Sequence, residues 1–289
     1  MSRYDYYQPE SLEEAFRLKK TIPDSVYISG GTELMVRINK KELHPRALIS
    51  LRSIPDLCDV ENDKKIRIGA MTSISDIKKN SLLYEKYPIL FQAAKELGGV
   101  QIRNVATIGG NLCNGSPAAD MAPPLLVLEA KVRLQNDQKS RELPLENFFL
   151  GPGETSLFHG EILTDILLEP PKKNTKTIFL KKGRTRMDLA VASVAVLIRT
   201  EGDRCLSARV AVGSAAPTPL RLFEVEALLE GATYSRELLT EAQQLASHSV
   251  SPITDVRSAA DFRCHLVGVL VKRALEKLMD NEIGGGTRT

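Results

Sequence analysis

Residues 101–130 read QIRNVATIGGNLCNGSPAADMAPPLLVLEA. A β-branched and apolar run meets two adjacent glycines, Gly109 and Gly110, and small, polar and prolyl residues follow. A further glycine stands at 115, an acid, Asp120, follows an alanine pair, and a long apolar segment closes the stretch. Glycine has no Cβ, so main-chain N–H groups at such a bend can approach an anion closely. Upstream, Gly30-Gly31-Thr32 directly follows the apolar Val26-Tyr27-Ile28. A strand that runs into glycines and then a helix N-terminus offers a phosphate both free N–H groups and the positive end of the helix dipole. A lone Gly-Gly-Thr reads as a plain left-handed turn. Two glycine bends in one chain read as the two sides of a single dinucleotide pyrophosphate site.

Around this stretch the composition is that of an ordinary globular chain: 289 residues, 43% apolar and 26% charged. That length supports a large core and two domains. The net charge of +3 is spread along the chain, with no basic stripe interleaved with aromatics, which argues against a nucleic-acid partner. No apolar run is long enough to span a membrane. The first ten residues, MSRYDYYQPE, lack a signal-peptide core, so the expected location is the cytoplasm. The four cysteines (58, 113, 205, 264) and four histidines (44, 159, 248, 265) are scattered without metal-ligand spacing. Free buried thiols and no bound metal are expected.

Ser11-Leu12-Glu13-Glu14 fits a capping box that opens a helix. Strands are expected at 26–29, 47–51, 65–70, 131–134 and 161–168, with helices opening at Thr32 and spanning 89–97 up to Gly98-Gly99. Gly151-Pro152-Gly153 reads as a loop. Pro170-Pro171-Lys172-Lys173-Asn174 is the best linker, and the domain boundary is placed at 172/173. Beyond it, 177–181, 189–200 and 206–213 predict about three antiparallel strands. Helices follow at 222–229, 237–247 and 260–279. The last should bury Phe262, Leu266, Val269, Leu270, Leu275 and Leu278. Residues 281–289, with Gly284-Gly285-Gly286, are expected to be an unstructured tail.

No G-x-S-x-G, H-E-x-x-H or Walker A pattern occurs, and no spacing selects a catalytic acid, base or nucleophile. The chain offers a cofactor cradle whose chemistry belongs to the cofactor.

Seven motifs carry a resemblance: Ser29-Gly-Gly-Thr-Glu33, Gln101-Ile-Arg-Asn104, Thr107-Ile-Gly-Gly-Asn111, Ser116-Pro-Ala-Ala-Asp120, Gly160-Glu-Ile-Leu163, Ala216-Pro-Thr-Pro-Leu-Arg221 and Asp261-Phe-Arg263. In order and spacing the chain resembles the FAD-binding (medium) subunits of the xanthine dehydrogenase family of molybdenum hydroxylases. The resemblance implies an α+β fold: a p-cresol methylhydroxylase-type FAD domain of two α/β subdomains (1–172), then a C-terminal domain of a three-stranded antiparallel sheet with helices (173–280). It implies that Tyr27, Ile28, Ser29, Gly30, Gly31, Thr32 and Glu33, with Thr107, Ile108, Gly109, Gly110 and Asn111, surround the FAD pyrophosphate. By the same resemblance Asp120 accepts a hydrogen bond from cofactor hydroxyls, against the alternative of a helix N-cap before Pro123. Leu163 lies against the cofactor, or simply in the core. Lys181 holds the family's cation at the flavin, with Lys182 and Arg184 as the other candidates.

The partners implied are a large molybdopterin-binding subunit, where substrate is hydroxylated, and a small subunit with two [2Fe–2S] clusters. Together with this chain they form a heterotrimer in which FAD passes electrons to NAD or another acceptor. A purine or related N-heterocycle is the substrate leaned towards. The rival readings are a self-sufficient flavin reductase or oxidase of the same fold, and a nucleotide-binding protein without a redox role.

Overall fold

The computed structural model describes residues 4–185 and 187–279. The expected tail at 281–289 lies outside the described residues.

The first unit runs β1 (Asp5–Tyr7), α1 (Leu12–Thr21), β2 (Ser25–Ile28), α2 (Leu34–Asn39) and β3 (Ala47–Ser50). Its three strands pair in parallel in the order β1-β3-β2. The middle strand is buried along its whole length, which is why Ala47–Ser50 reads as an unbroken run rather than an alternation. Ser11 caps α1 by accepting from the Glu14 N–H at 3.2 Å. The helix then buries Leu12, Ala15, Phe16 and Leu18. α2 starts at Leu34 rather than Thr32, because Gly31 (φ 72°) is still in the left-handed region.

The second unit holds β4 (Val60–Asn62), β5 (Ile66–Gly69), α3 (Ile74–Lys79), α4 (Ser81–Lys86), α5 (Pro88–Glu96), α6 (Val100–Val105), α7 (Ile108–Cys113) and α8 (Ala122–Val127). It continues with β6 (Lys131–Gln135), β7 (Ser140–Pro144), β8 (Phe149–Gly151), β9 (Glu154–Thr155) and β10 (Ile162–Leu168). Its antiparallel sheet has the order β4-β5-β10-β6-β7, so the last strand in sequence closes the middle of the sheet. One charge from each strand, alternating in sign, crosses this sheet: Glu61, Arg67, Asp165, Arg133 and Glu142, at 2.6, 2.6, 3.2 and 2.9 Å. β8 and β9 form a small hairpin at 151–154, where the sequence suggested a plain loop. Gly109 and Gly110 lie in the first turn of α7, capped by Thr107, and not in an open bend.

The third unit comprises β11 (Thr175–Lys182), β12 (Ala192–Glu201), β13 (Arg204–Gly213), β14 (Leu220–Arg221), α9 (Phe223–Leu229), α10 (Arg236–His248) and α11 (Ala260–Met279). Its antiparallel sheet runs in chain order, and the two-residue β14 adds a fourth strand to the three expected. β12 is apolar on both faces because both are covered. Ala195 and Leu197, with Phe179 and Ala211, pack into the core built by the second unit. Val194, Val196 and Ile198 pack into a second core with α9, α10 and α11.

α11 departs from its expected stripe. Phe262 is 53% exposed and Arg263 is buried in its place. The guanidinium is tolerated there because it donates to Asp255 Oδ1 (2.5 Å), Ser214 O (3.0 Å) and Val191 O (3.3 Å). The cysteines are free, but only Cys205 is fully buried and Cys58 is exposed. Among the described residues no helix is long and apolar enough to cross a membrane. Nor is any cluster of three His, Cys, Asp or Glu placed to hold a metal.

Candidate functional site

The two glycine segments, far apart in sequence, are packed directly against each other. A Cβ on Gly30 would stand 2.1 Å from Val105 O, and one on Gly110 would stand 2.6 Å from Ser29 Oγ. Thr107 Oγ1 accepts from the Gly110 N–H at 3.0 Å and donates to Ser29 Oγ at 3.2 Å, tying α7 to the end of β2. A side chain at Gly30 would push the segments apart, and one at Gly110 would displace the hydroxyls that join them.

The segments differ in what they can give a ligand. In α7 the N–H groups of Ile108, Gly109 and Asn111 bond to the carbonyls of Thr72, Ala70 and Thr107 at 3.0, 2.9 and 2.9 Å. Together with Gly110 bonded to its cap, this leaves the 108–111 backbone without spare donors. By contrast, the N–H groups of Gly30, Gly31, Thr32 and Glu33 have no hydrogen-bond partner among the described residues. They are the free main-chain donors that an anion requires.

Both segments wall a cleft of about 440 Å³. Tyr27, Ile28, Ser29, Gly30, Gly31, Thr32, Glu33, Thr107, Gly110, Asn111 and Asp120 all line it. Gly109 and Leu163 line a second, more apolar cavity of about 300 Å³ with Ile162, Met71 and Leu51. Tyr27, Ser29, Gly110 and Cys113 contribute to the walls of both. Ile108 is wholly buried in the core and can offer a ligand no side chain.

Asp120 closes one end of the first cleft. It does not cap α8, whose cap position falls on Met121 with no side-chain bond. Asn111 Oδ1 accepts from the Met121 N–H at 3.2 Å and so fixes the segment that carries Asp120. Asp120 Oδ2 accepts from Lys181 Nζ at 2.6 Å, whereas Oδ1 is buried without a partner. Burial pushes the carboxyl up to about 6 against the opposing pull of the Lys181 ammonium. Of the three candidate cations only Lys181 meets the cleft wall, and it does so through Asp120; it does not line the cleft itself, whereas Arg37 does. Lys182 is exposed, and Arg184 pairs at the surface with Asp188 at 2.8 Å.

Sequence reasoning missed part of the lining: Leu97, Gly98, Ile102, Met187 and Leu189. Gly98-Gly99 was visible, but as a helix stop. Nothing in one-dimensional spacing brings 187–189 to 97–102.

The family is decided by a match over more than half the chain: the FAD binding domain in molybdopterin dehydrogenase covers residues 2–171. The chain belongs to this FAD-binding family. Its cofactor is FAD. The CO dehydrogenase flavoprotein C-terminal domain matches residues 178–278. The chain is 30% identical to the xanthine dehydrogenase FAD-binding subunit of Escherichia coli O157:H7 over 94% of each. It is 31% identical to the carbon monoxide dehydrogenase medium chain of Hydrogenophaga pseudoflava over 94% of this chain and 96% of that one. A solved carbon monoxide dehydrogenase from Hydrogenophaga pseudoflava superposes with a TM-score of 0.93 at 31% identity, covering 97% of this chain and 98% of its own. The chain is thus an oxidoreductase subunit of the molybdenum hydroxylase family, with the expected mixed fold.

The cleft fits FAD on its own terms. It offers free N–H donors at 30–33 for a diphosphate, a floor that admits no Cβ, and at the cleft residue Asp120 a buried acceptor oxygen without a protein partner, which a ligand hydroxyl would suit.

Proposed function

We propose that this chain is the electron-transferring flavin subunit of a cytoplasmic, heterotrimeric molybdenum hydroxylase. It receives electrons from [2Fe–2S] clusters on a small partner and delivers them to NAD or another acceptor. Substrate is oxidised on a large molybdopterin-binding partner. When bound, FAD supplies a carrier that can be filled singly and emptied in pairs.

The protein's contribution is binding and charge placement. The N–H groups of Gly30 to Glu33 hold the diphosphate, and Asn111 fixes the Asp120 segment. Asp120 Oδ1 accepts from a ribityl hydroxyl, and Lys181 sets a positive charge beside the flavin, where it favours the reduced, anionic form. The apolar cavity at Leu163 suits the adenine ring. The observation that carries this reading is the buried Asp120–Lys181 pair with one carboxylate oxygen unmet, its Asp120 lining the same cleft as the free donors.

Near-equal identity to subunits of enzymes named for xanthine and for carbon monoxide supports a substrate choice made on another polypeptide. A purine is the substrate we favour, and residues 1–172 and 173–280 are the two domains we assign. The test is the visible spectrum of the purified complex, with its iron and molybdenum content, before and after hypoxanthine. Bleaching of the flavin band in a metal-bearing complex is expected. A metal-free chain that turns over an organic substrate alone would overturn the reading.

A further inference from the structure

α5 ends at Glu96 and leaves its last carbonyls without helical partners, at the negative end of the helix dipole. Two cations meet them. Lys181 Nζ donates to Glu96 O at 3.1 Å while also holding Asp120. Arg103 Nη1, from α6, donates to Leu97 O at 3.0 Å and to Gly98 O at 2.5 Å. Among the described residues no other donor reaches these three carbonyls. Arg103 also returns its own N–H to Gly99 O at 3.0 Å, so one residue ties down the whole 97–99 turn that borders the cleft.

We propose that Arg103 is a positioning residue for Lys181: by occupying the Leu97 and Gly98 carbonyls, its guanidinium leaves the ammonium to Glu96 and Asp120 and holds that charge directly behind the Asp120 wall of the cofactor cleft. Without Arg103, the orphaned Leu97 and Gly98 carbonyls compete with Glu96 O and Asp120 for a single ammonium on a flexible four-carbon stem. The stem swings towards the turn, Asp120 loses its partner, and the positive charge retreats from the cofactor. This inference rests on the proposed placement of Lys181 beside the flavin.

The experiment is the midpoint potential of FAD in the full-length chain, measured for wild type, Arg103→Ala, Arg103→Lys, Lys181→Met and the double variant Arg103→Ala/Lys181→Met. Lys181→Met should shift the equilibrium about tenfold towards oxidised flavin, roughly 30 mV for a two-electron couple. Arg103→Ala should move it the same way by about threefold, roughly 15 mV. Arg103→Lys should restore part of that loss, and the double variant should go no further than Lys181→Met. An unchanged potential in Arg103→Ala, or a full additional shift in the double variant, overturns the inference while leaving the site reading intact. If Arg103→Ala does not fold, Arg103→Lys decides: a partial shift in the same direction supports the inference, and none overturns it. A wild-type chain that takes up no FAD, or a Lys181→Met variant with unchanged potential, overturns the site reading and this inference with it.

Discussion

Lys181 Nζ and Asp120 Oδ2 lie 2.6 Å apart, with 3% and 5% of their side chains exposed. They come from different units of the fold: Asp120 precedes α8, and Lys181 stands near the end of β11. A buried pair of this kind is a weak source of net stability, because desolvation offsets the Coulomb gain. Its value here lies in the carboxylate oxygen it leaves free and in the charge it fixes behind Asp120, which lines the cleft.

The first prediction concerns pH. Burial raises the Asp120 carboxyl to about 6, so its protonation favours the cofactor-free fold. That contribution is complete below the unfolded value of about 4 and is lost as pH rises through the folded one. A hydroxyl donated to Oδ1 favours the ionised form, so FAD binding releases a proton. FAD affinity should be flat above pH 7 and weaken below about 6, by up to about tenfold per pH unit. Titration of flavin fluorescence across this range checks it, and Asp120→Asn should abolish the slope.

The two glycine contacts differ in hardness. A Cβ on Gly30 meets the Val105 carbonyl, which is backbone, whereas one on Gly110 meets the Ser29 hydroxyl, which can rotate away. Gly30→Ala should cost at least about 2 kcal/mol and most of the bound FAD, and Gly110→Ala about half as much. Flavin content per chain and urea unfolding measure both.

Arg263 anchors α11 to Asp255 and to two loop carbonyls. Replacing it by Met leaves the partly buried Asp255 with Arg257 alone, and leaves the carbonyls of Val191 and Ser214 without this donor. Arg263→Met should lower unfolding stability by about 3 kcal/mol. Cofactor spectra of the folded fraction should not change, since Arg263 does not line the cleft.

Phe179 joins the halves of the molecule. It sits in β11 but packs in the core of the second unit, and its N–H donates to Gln92 Oε1 at 2.7 Å. Phe179→Ala should cost about 3–5 kcal/mol. Thermal unfolding should remain a single transition that moves as a whole, because the core of the second unit takes in Phe179, Ala195, Leu197 and Ala211 from beyond residue 172. Calorimetry would show two transitions if the halves were independent.

Much of this was legible in one dimension. β3 and β12 announce themselves as unbroken apolar runs because both their faces are covered. Ser11 marks a helix start because its hydroxyl accepts the N–H three residues on, whereas the same cap at Thr107 went unread. The glycines at 30 and 110 stood out because only residues without Cβ allow the approach now seen. Phe262 was misread, since periodicity ranks side chains by polarity and cannot foresee a buried guanidinium whose two terminal nitrogens reach Asp255 and the distant carbonyls of Val191 and Ser214. Gly109-Gly110 was taken for a donor bend, but the Gly109 N–H is met by the distant Ala70 carbonyl and the Gly110 N–H by the Thr107 hydroxyl.

The sequence by itself determined most of the longer strands and helices, the family and the cofactor, because those follow from local backbone preference and from motifs kept in order. Only the tertiary structure decided which glycine segment keeps free N–H groups, which lysine meets Asp120, and that Arg103 shares the end of α5 with it. Those are questions of which donor reaches which acceptor across space, and chain spacing carries no record of that competition.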